Sequence, residues 1–136
     1  MSKRIDSQKV MIQCPAKQVF AFIGNFNNFE KFLPEQVINW HSDGDSCSFE
    51  VKSLATLGLR FTEKIPCSKI SMKGEGRIPF DFTLDALIME VSFNQCEVQL
   101  VINAQMNPYI AMVAEKPLNN FIDDLIVRLK EVMEKQ

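Results

Sequence analysis

The sequence has little of what metal centres and disulfide frameworks require. Its 136 residues include one histidine and four cysteines. No C-x-x-C pair and no cluster of histidines occurs, although zinc sites and disulfide-stapled folds are recognised by such spacings. We therefore expect no metal site, no cofactor and four reduced thiols, with Cys47 and Cys96 buried because both fall on apolar phases of strands. The cysteines are Cys14, Cys47, Cys67 and Cys96.

Blocks of one charge and long apolar runs are also missing. The net charge is −2 with both signs interspersed, which argues against nucleic acid as a partner. The N-terminal segment, MSKRIDSQKVMIQC, lacks the apolar centre of a signal peptide. No run approaches the roughly 18 apolar residues that cross a bilayer. We expect a cytoplasmic protein without an integral membrane segment, and the sequence leaves its oligomeric state open.

Familiar catalytic motifs are absent as well. The chain contains no G-x-x-x-x-G-K-S/T phosphate loop, no G-x-S-x-G nucleophile elbow and no H-E-x-x-H zinc motif. The one histidine, His41, falls on the polar phase of a strand, and Asp81 and Asp85 fall on the outer phase of another. No residue is therefore predicted to be catalytic.

The strongest pattern present is an amphipathic helix near the C-terminus. Apolar residues recur there at steps of three and four, which places them on one stripe of an α-helix. Pro108 and Pro117 each suit a first helical turn. The pattern leaves open one long helix kinked at Pro117 or a short helix followed by a longer one. The stripe consists of Leu118, Phe121, Ile122, Leu125, Ile126, Leu129, Val132 and Met133.

The chain opens with one predicted strand, Arg4 to Cys14, followed by two short helices. The segment AKQVFAFIG has a helical apolar face, and Gly24 is a natural stop. A second short helix is indicated by phenylalanines that recur every three residues and by Pro34, which ends the segment. These phenylalanines are Phe26, Phe29 and Phe32.

Between Val37 and Met106 apolar and polar residues alternate, as is typical of strands. Asp43-Gly44-Asp45 and Gly74-Glu75-Gly76 are predicted as turns. One apolar face and one polar face in strand after strand indicate an antiparallel sheet that is covered on one side only.

Three local patterns carry a family resemblance. They are V-M-I-Q-C-P-A-K-Q-V-F-A-F-I at 10–23, the Asn39-Trp40 pair with D-G-D and C-S-F behind it, and M-N-P and E-K-P-L at the last helix. Over essentially its whole length the chain resembles the Bet v 1-like superfamily, also called START-like or SRPBCC, and looks most like its short bacterial members. The resemblance implies one domain, 1–136, with the α+β helix-grip fold. That fold is a curved antiparallel sheet of about seven strands wrapped around a long C-terminal helix, with two short helices after the first strand.

The resemblance also implies a hydrophobic cavity between the sheet and the long helix. Eleven phenylalanines and seven methionines are compatible with a filled core or with a cavity. The strand phases and the helix stripe, joined to the resemblance, predict a set of ligand-binding residues around it. These are Phe26, Phe29, Trp40, Phe49, Phe61, Glu63, Phe80, Phe82, Leu100, Ile102, Met106, Ile110, Val113 and Phe121.

Glu63 is the one ionisable residue that the alternation places on the inward face. A buried carboxylate needs a partner or a raised pKa, so Glu63 is predicted as a possible polar anchor for a ligand. The alternative is a bulge before Pro66 that turns Glu63 towards water.

We predict binding of a hydrophobic small molecule, such as a lipid, sterol, polyketide or quinone, without chemical transformation. Two alternatives stay open. One is an enzyme of the polyketide cyclase/dehydrase or aromatase type, with Glu63 and Tyr109 as polar pocket groups. The other is a protein-interaction module like the co-chaperone relatives. The glycine-rich loop of plant pathogenesis-related relatives is replaced here by Asp43-Gly44-Asp45, so we infer no phosphate binding.

Overall fold

The computed structural model describes residues 2–52, 55–76 and 80–135. Within these ranges the chain forms strands, two α-helices and one 3-10 helix. In chain order the elements are β1 (Ser2–Asp6), β2 (Val10–Ile12), α1 (Ala16–Ile23), the 3-10 helix (Phe26–Lys31), β3 (Val37–Ser42), β4 (Ser46–Val51), β5 (Ala55–Ile65), β6 (Lys69–Gly76), β7 (Asp81–Ser92), β8 (Gln95–Gln105) and α2 (Pro108–Glu134).

The strands form one curved, open antiparallel sheet with the order β1-β8-β7-β6-β5-β4-β3, in which β2 also pairs with β8. The apolar side of this sheet carries α1, the 3-10 helix and α2, and the core lies between these layers. The predicted α+β fold, with short helices after the first strand and a long C-terminal helix, is confirmed.

The predicted first strand, Arg4–Cys14, is divided into β1 and β2 at Ser7. The buried Ser7 hydroxyl accepts a hydrogen bond from the Leu100 N–H (2.9 Å), and the Ser7 N–H donates to the Leu100 carbonyl (2.8 Å). Both halves pair with β8. The prediction of a strand in this region is therefore correct, but the prediction that it is one continuous strand is wrong.

The predicted turn at Gly74-Glu75-Gly76 is also wrong, because β6 continues through it. Gly74 pairs with Leu59 and Gly76 pairs with Leu57 of β5. Gly76 has φ 116°, and a Cβ atom there would lie 2.9 Å from the Leu57 Cα atom. The glycines thus mark a close approach of two strands and not a reversal of the chain.

The two short helices cover one end of the concave face. The second of them is a 3-10 helix, capped by the Asn25 side-chain oxygen, which accepts from the Asn27 N–H (2.9 Å). A 3-10 helix has three residues per turn, so the spacing of Phe26 and Phe29 puts both rings on its inner side, where both are buried.

α2 is one continuous helix of 27 residues that contains Pro117. Its first turn is capped by Asn107, whose side-chain oxygen accepts from the Ile110 N–H (2.9 Å). Pro117 removes one helical N–H, but it lies on the exposed side, where water can solvate the freed carbonyl. Of the two predicted arrangements, the single helix is the one observed. None of the described helices combines the length and apolar character needed to cross a membrane.

α2 packs against β1, β2 and β8. Its buried stripe is Ala111, Ile122, Leu125, Ile126, Leu129 and Met133. Beside the stripe, Asp123 accepts from the Gln8 N–H (2.8 Å), and Glu134 accepts from the Gln13 N–H (2.9 Å). The helix is therefore held over the N-terminal strands along the second half of its length.

This packing predicts a clear contrast between two alanine substitutions in α2. Ile126→Ala should lower the free energy of unfolding by about 2–5 kcal/mol, because it empties a fully buried site. Val113→Ala, at a side chain that is 74% exposed, should change it by less than about 0.5 kcal/mol. Urea unfolding followed by circular dichroism measures both, and similar losses for the two variants would contradict this seating of α2.

Candidate functional site

The concave face of the sheet has a filled end and a group of half-buried apolar side chains, which we call the apolar recess. Residues paired across antiparallel strands share a face, so the register identifies the inward side chains from β3 to β8. The filled end is occupied by the aromatic cluster, which consists of Phe26, Phe29, Trp40, Phe49 and Phe61.

The rings of the aromatic cluster pack on one another. Phe26 stacks on Phe61 with ring centroids 4.0 Å apart. Trp40 stacks between Phe29 (5.8 Å) and Phe49 (5.3 Å). The sequence predicted these five residues around a cavity. The structure brings them together, with Phe26, Phe29 and Phe49 buried against other rings and with Trp40 and Phe61 half-buried.

The apolar recess lies beside the first half of α2. Its side chains face the inner side of the sheet or the adjoining side of the helix and pack on the core, yet each is only half-buried. Four of the predicted ligand-binding residues belong to it, namely Phe80, Phe82, Ile110 and Phe121. We define the recess by eight such side chains, namely Val37, Val51, Leu57, Phe80, Phe82, Ile110, Leu118 and Phe121.

The remaining predicted residues fall into two groups. Leu100, Ile102 and Met106 are buried in the core beside α2. Val113, by contrast, is exposed on the far side of α2 together with Tyr109, so its placement at a cavity is wrong. Val113 is three residues from Ile110, but the buried stripe passes through Ala111, and the helical period then turns Val113 away from the sheet.

Glu63 does not face inward. The register of β5 and β6 shifts between Phe61 and Glu63, so that Phe61 pairs with Met72, whereas Glu63 pairs with Ser71. The Glu63 side chain is 54% exposed and lies 3.8 Å from the Lys69 ammonium group. The inward placement is therefore wrong, and the bulged alternative is correct.

The same bulge brings Lys64 to the inward side, where it pairs with the buried Ile70. Its ammonium group donates to the Gly24 carbonyl at the end of α1 (2.7 Å) and lies 4.3 Å from the centre of the Phe61 ring. A cation suits the C-terminal end of a helix and the face of an aromatic ring. Sequence alternation missed this residue, because one inserted residue reverses every later position.

A second bulge sets the position of Trp40. The β3–β4 register shifts between Ile38 and His41, and Asn39 has φ 55°. The Asn39 amide donates to the Glu50 carboxylate (2.9 Å), which fixes the irregular residue on the outer face. Trp40 is thereby turned inward against Phe49.

The indole nitrogen of Trp40 is an exception to the pairing of buried polar groups. It is fully buried, and it makes no hydrogen bond to the described part of the chain. Native proteins leave few buried donors unpaired. The aromatic cluster therefore contains one unsatisfied hydrogen-bond donor next to the recess.

A polar cleft of about 340 Å³ lies at the rim, between α2 and the ends of β3 and β4, and is lined by Glu35, Gln36, Lys52, Asp124 and Arg128. Arg128 donates to Asp124 (3.2 Å) and to the Leu33 carbonyl (3.5 Å). Four of the five lining residues are within three positions of Val37, Val51 or Phe121, and Arg128 is joined to this group by its hydrogen bond to Asp124. The polar cleft and the recess are therefore neighbours.

The recess contains a close contact between Phe82 and Gly74. A Cβ atom added at Gly74 would lie 2.2 Å from the Phe82 Cε1 atom. The Phe82 ring thus covers a glycine on the neighbouring strand, an arrangement known to compensate for a missing side chain in a sheet.

Gly74→Ala should destabilise the protein by about 1–3 kcal/mol, because the new methyl group displaces the Phe82 ring. In a Phe82→Ala background the same substitution should cost almost nothing. A double-mutant cycle measured by urea unfolding tests this, and equal costs in both backgrounds would exclude the contact.

The thiols differ in burial and in acidity. All four cysteines are free, as predicted, and Cys14, Cys47 and Cys96 are buried while Cys67 is exposed. Burial raises the pKa of Cys47 to about 12 and that of Cys96 to about 11. Burial, followed by the nearby Glu134 carboxylate, also raises the pKa of Cys14. Among the described residues no group of three or more possible metal ligands occurs.

At pH 8 iodoacetamide should alkylate Cys67 rapidly and the other three thiols only after unfolding, with Cys67→Ser as the control that removes the fast phase. These thiols should not affect the free energy of unfolding below their ordinary pKa of 9.0. As the pH rises from 9 towards 12 this free energy should fall, because the thiols lose their protons in the unfolded state but keep them in the native state. Rapid alkylation of two or more thiols in the native protein would contradict the burial.

Comparison with known proteins identifies the fold. No protein-family model matches the chain, and no curated protein matches it in sequence. Solved structures do match it over nearly its whole length. A START superfamily protein from Mycobacterium smegmatis superposes with a TM-score of 0.79 at 10% identity, and the match covers 97% of each chain.

Two further structures have similar values. The protein XoxI from Bacillus cereus matches with a TM-score of 0.75 at 14% identity, over 97% of this chain and 94% of that one. The Aha1 dimer from Colwellia psychrerythraea matches with a TM-score of 0.72 at 14% identity, over 97% and 93% of the chains. At these identities the likeness shows a START-like fold and leaves function to the site itself.

Proposed function

We propose that this START-like chain binds a hydrophobic small molecule in the apolar recess, without transforming it chemically. The observation that carries the proposal is the half-exposure of the recess side chains, which face the interior of the fold without being covered by it. Binding pockets are concave and mostly apolar with a few polar groups, and the recess with its polar rim has this composition.

The energetics favour an apolar ligand. Burial of apolar surface contributes about 25 cal/mol per Å². Completing the burial of several large side chains, such as Phe80, Phe82 and Phe121, makes micromolar affinity reasonable for a lipid-sized molecule, after the costs of association are subtracted.

The absence of chemical transformation is supported by where the ionisable groups lie. Glu63 and Tyr109, the two groups that a cyclase reaction would use, face water. Lys64 faces inward but is engaged by the Gly24 carbonyl. Within the described residues, the recess itself is lined by apolar side chains.

A matched pair of variants tests the site. Trp40 is the only tryptophan and lies next to the recess, so a fatty acid, a sterol or a naphthalene-type probe should change its emission saturably. Phe82→Glu should weaken binding at least about tenfold, because it places an unpaired charge in an apolar site. Val113→Glu, on the outer side of α2, should leave affinity within about twofold.

Thermal melting of both variants controls for unfolding, and wild-type melting should rise with bound ligand. The proposal fails if a broad apolar library changes neither Trp40 emission nor melting temperature. It also fails if Phe82→Glu and Val113→Glu, both folded, bind equally well.

A protein-interaction module is the second candidate, and one observation favours it. Tyr109, Met112 and Val113 are 81%, 78% and 74% exposed on one side of α2, and large exposed apolar patches often mark interaction sites. Here Val113→Glu should abolish association with a protein partner, while Phe82→Glu should not. The simplest such association is of the chain with itself, and sedimentation velocity over a concentration series tests it.

A further inference from the structure

We infer that the ligand of the recess carries a hydrogen-bond acceptor oxygen, such as a ketone, ester or quinone carbonyl, which accepts from the indole N–H of Trp40. This inference rests on the proposed function and names a chemical class within it. It predicts that an apolar molecule with such an oxygen is preferred over a hydrocarbon of the same shape.

The primary observation is the unsatisfied donor itself. Leaving a buried polar group without a partner costs about 1–3 kcal/mol, and the Trp40 nitrogen is the buried side-chain atom in this state among the described residues. The indole nitrogen can only donate. An acceptor is therefore the only complement that removes the cost.

In the described part of the chain the Trp40 indole nitrogen makes no hydrogen bond. Its aromatic neighbours Phe26, Phe29 and Phe49 present carbon rings. The polar residues beside it in β3 are engaged elsewhere, since Asn39 donates to Glu50 and the Ser42 hydroxyl donates to Asn27. The donor is thus embedded in an apolar cluster whose own polar neighbours are already paired.

The position of the cluster makes the donor relevant to a ligand. The Trp40 and Phe61 side chains are half-buried, and Val37 and Val51 of the recess lie on the same two strands as Trp40 and Phe49. The aromatic cluster and the recess therefore adjoin along β3 and β4. Because the indole nitrogen is buried, the inference requires the half-exposed rings to shift on binding, and the hydrogen bond to the ligand would then favour the shifted arrangement.

The experiment compares two probes of nearly identical shape, 2-acetonaphthone and 2-isopropenylnaphthalene, in which a methylene group replaces the carbonyl oxygen. Equilibrium dialysis gives the affinity of each for the wild-type protein and for Trp40→Phe, which keeps an aromatic ring but removes the N–H group. Because water hydrates the ketone better than the hydrocarbon, the quantity compared is the ratio of the ketone affinity to the hydrocarbon affinity. We expect this ratio to be roughly threefold to tenfold higher in the wild type than in Trp40→Phe, the range of one net hydrogen bond.

An independent readout uses the wild-type protein alone, so it does not depend on the variant folding. The single tryptophan gives one indole signal in a ¹H–¹⁵N correlation spectrum. The ketone should move the indole proton downfield relative to its position with the hydrocarbon. The hydrocarbon is the control, because its naphthalene ring produces the same ring-current shift without a carbonyl oxygen.

The outcomes separate the two proposals. If the ratio of ketone affinity to hydrocarbon affinity is the same in the wild type and in Trp40→Phe, and the indole proton has the same shift with each probe, the acceptor inference is overturned while the proposed function stands. If neither probe nor any other apolar ligand binds, the proposed function fails and the inference fails with it.

Discussion

The structure depends on the seating of α2 against β1, β2 and β8. Polar contacts accompany its stripe of buried side chains. The Lys3–Glu115 ion pair (2.9 Å) lies near the start of the helix, and further on Asp123 and Glu134 accept hydrogen bonds from the backbone N–H groups of Gln8 and Gln13. The exposed ion pair contributes little, so burial dominates. Because the helix is held to this side, β8 is covered completely and β3 to β7 only in part.

The uncovered part of the sheet is closed at one end by aromatic packing. Phe26 and Phe29, carried by a 3-10 helix, fill the space that the short helices enclose. The opposite end retains half-exposed apolar side chains under α2 and above the strands. The filled end and the half-exposed end of the concave face thus both follow from the asymmetric placement of the helices on one curved sheet.

Two one-residue bulges decide the chemistry of the concave face. The bulge at Asn39 turns Trp40 and its indole donor inward, and the bulge after Phe61 replaces an inward carboxylate by Lys64. On the described part of these strands, the inner side therefore carries the buried Trp40 N–H group and, where Glu63 was expected, the solvent-exposed Lys64. The Trp40 donor is the basis of the proposed preference for a ligand with an acceptor oxygen.

Periodicity predicted the fold class and most elements, because periods of two and of 3.6 residues indicate which face each element buries, but it missed the division of the first strand at Ser7 and the continuation of β6 through Gly74. It also predicted inward positions for Phe80, Phe82, Ile110 and Phe121, and these side chains are half-buried against the core. Only the tertiary structure decided the orientations of Glu63, Lys64, Trp40 and Val113. Their positions depend on bulges and on where α2 meets its neighbours, and these follow from long-range pairing and packing, which a local period cannot encode.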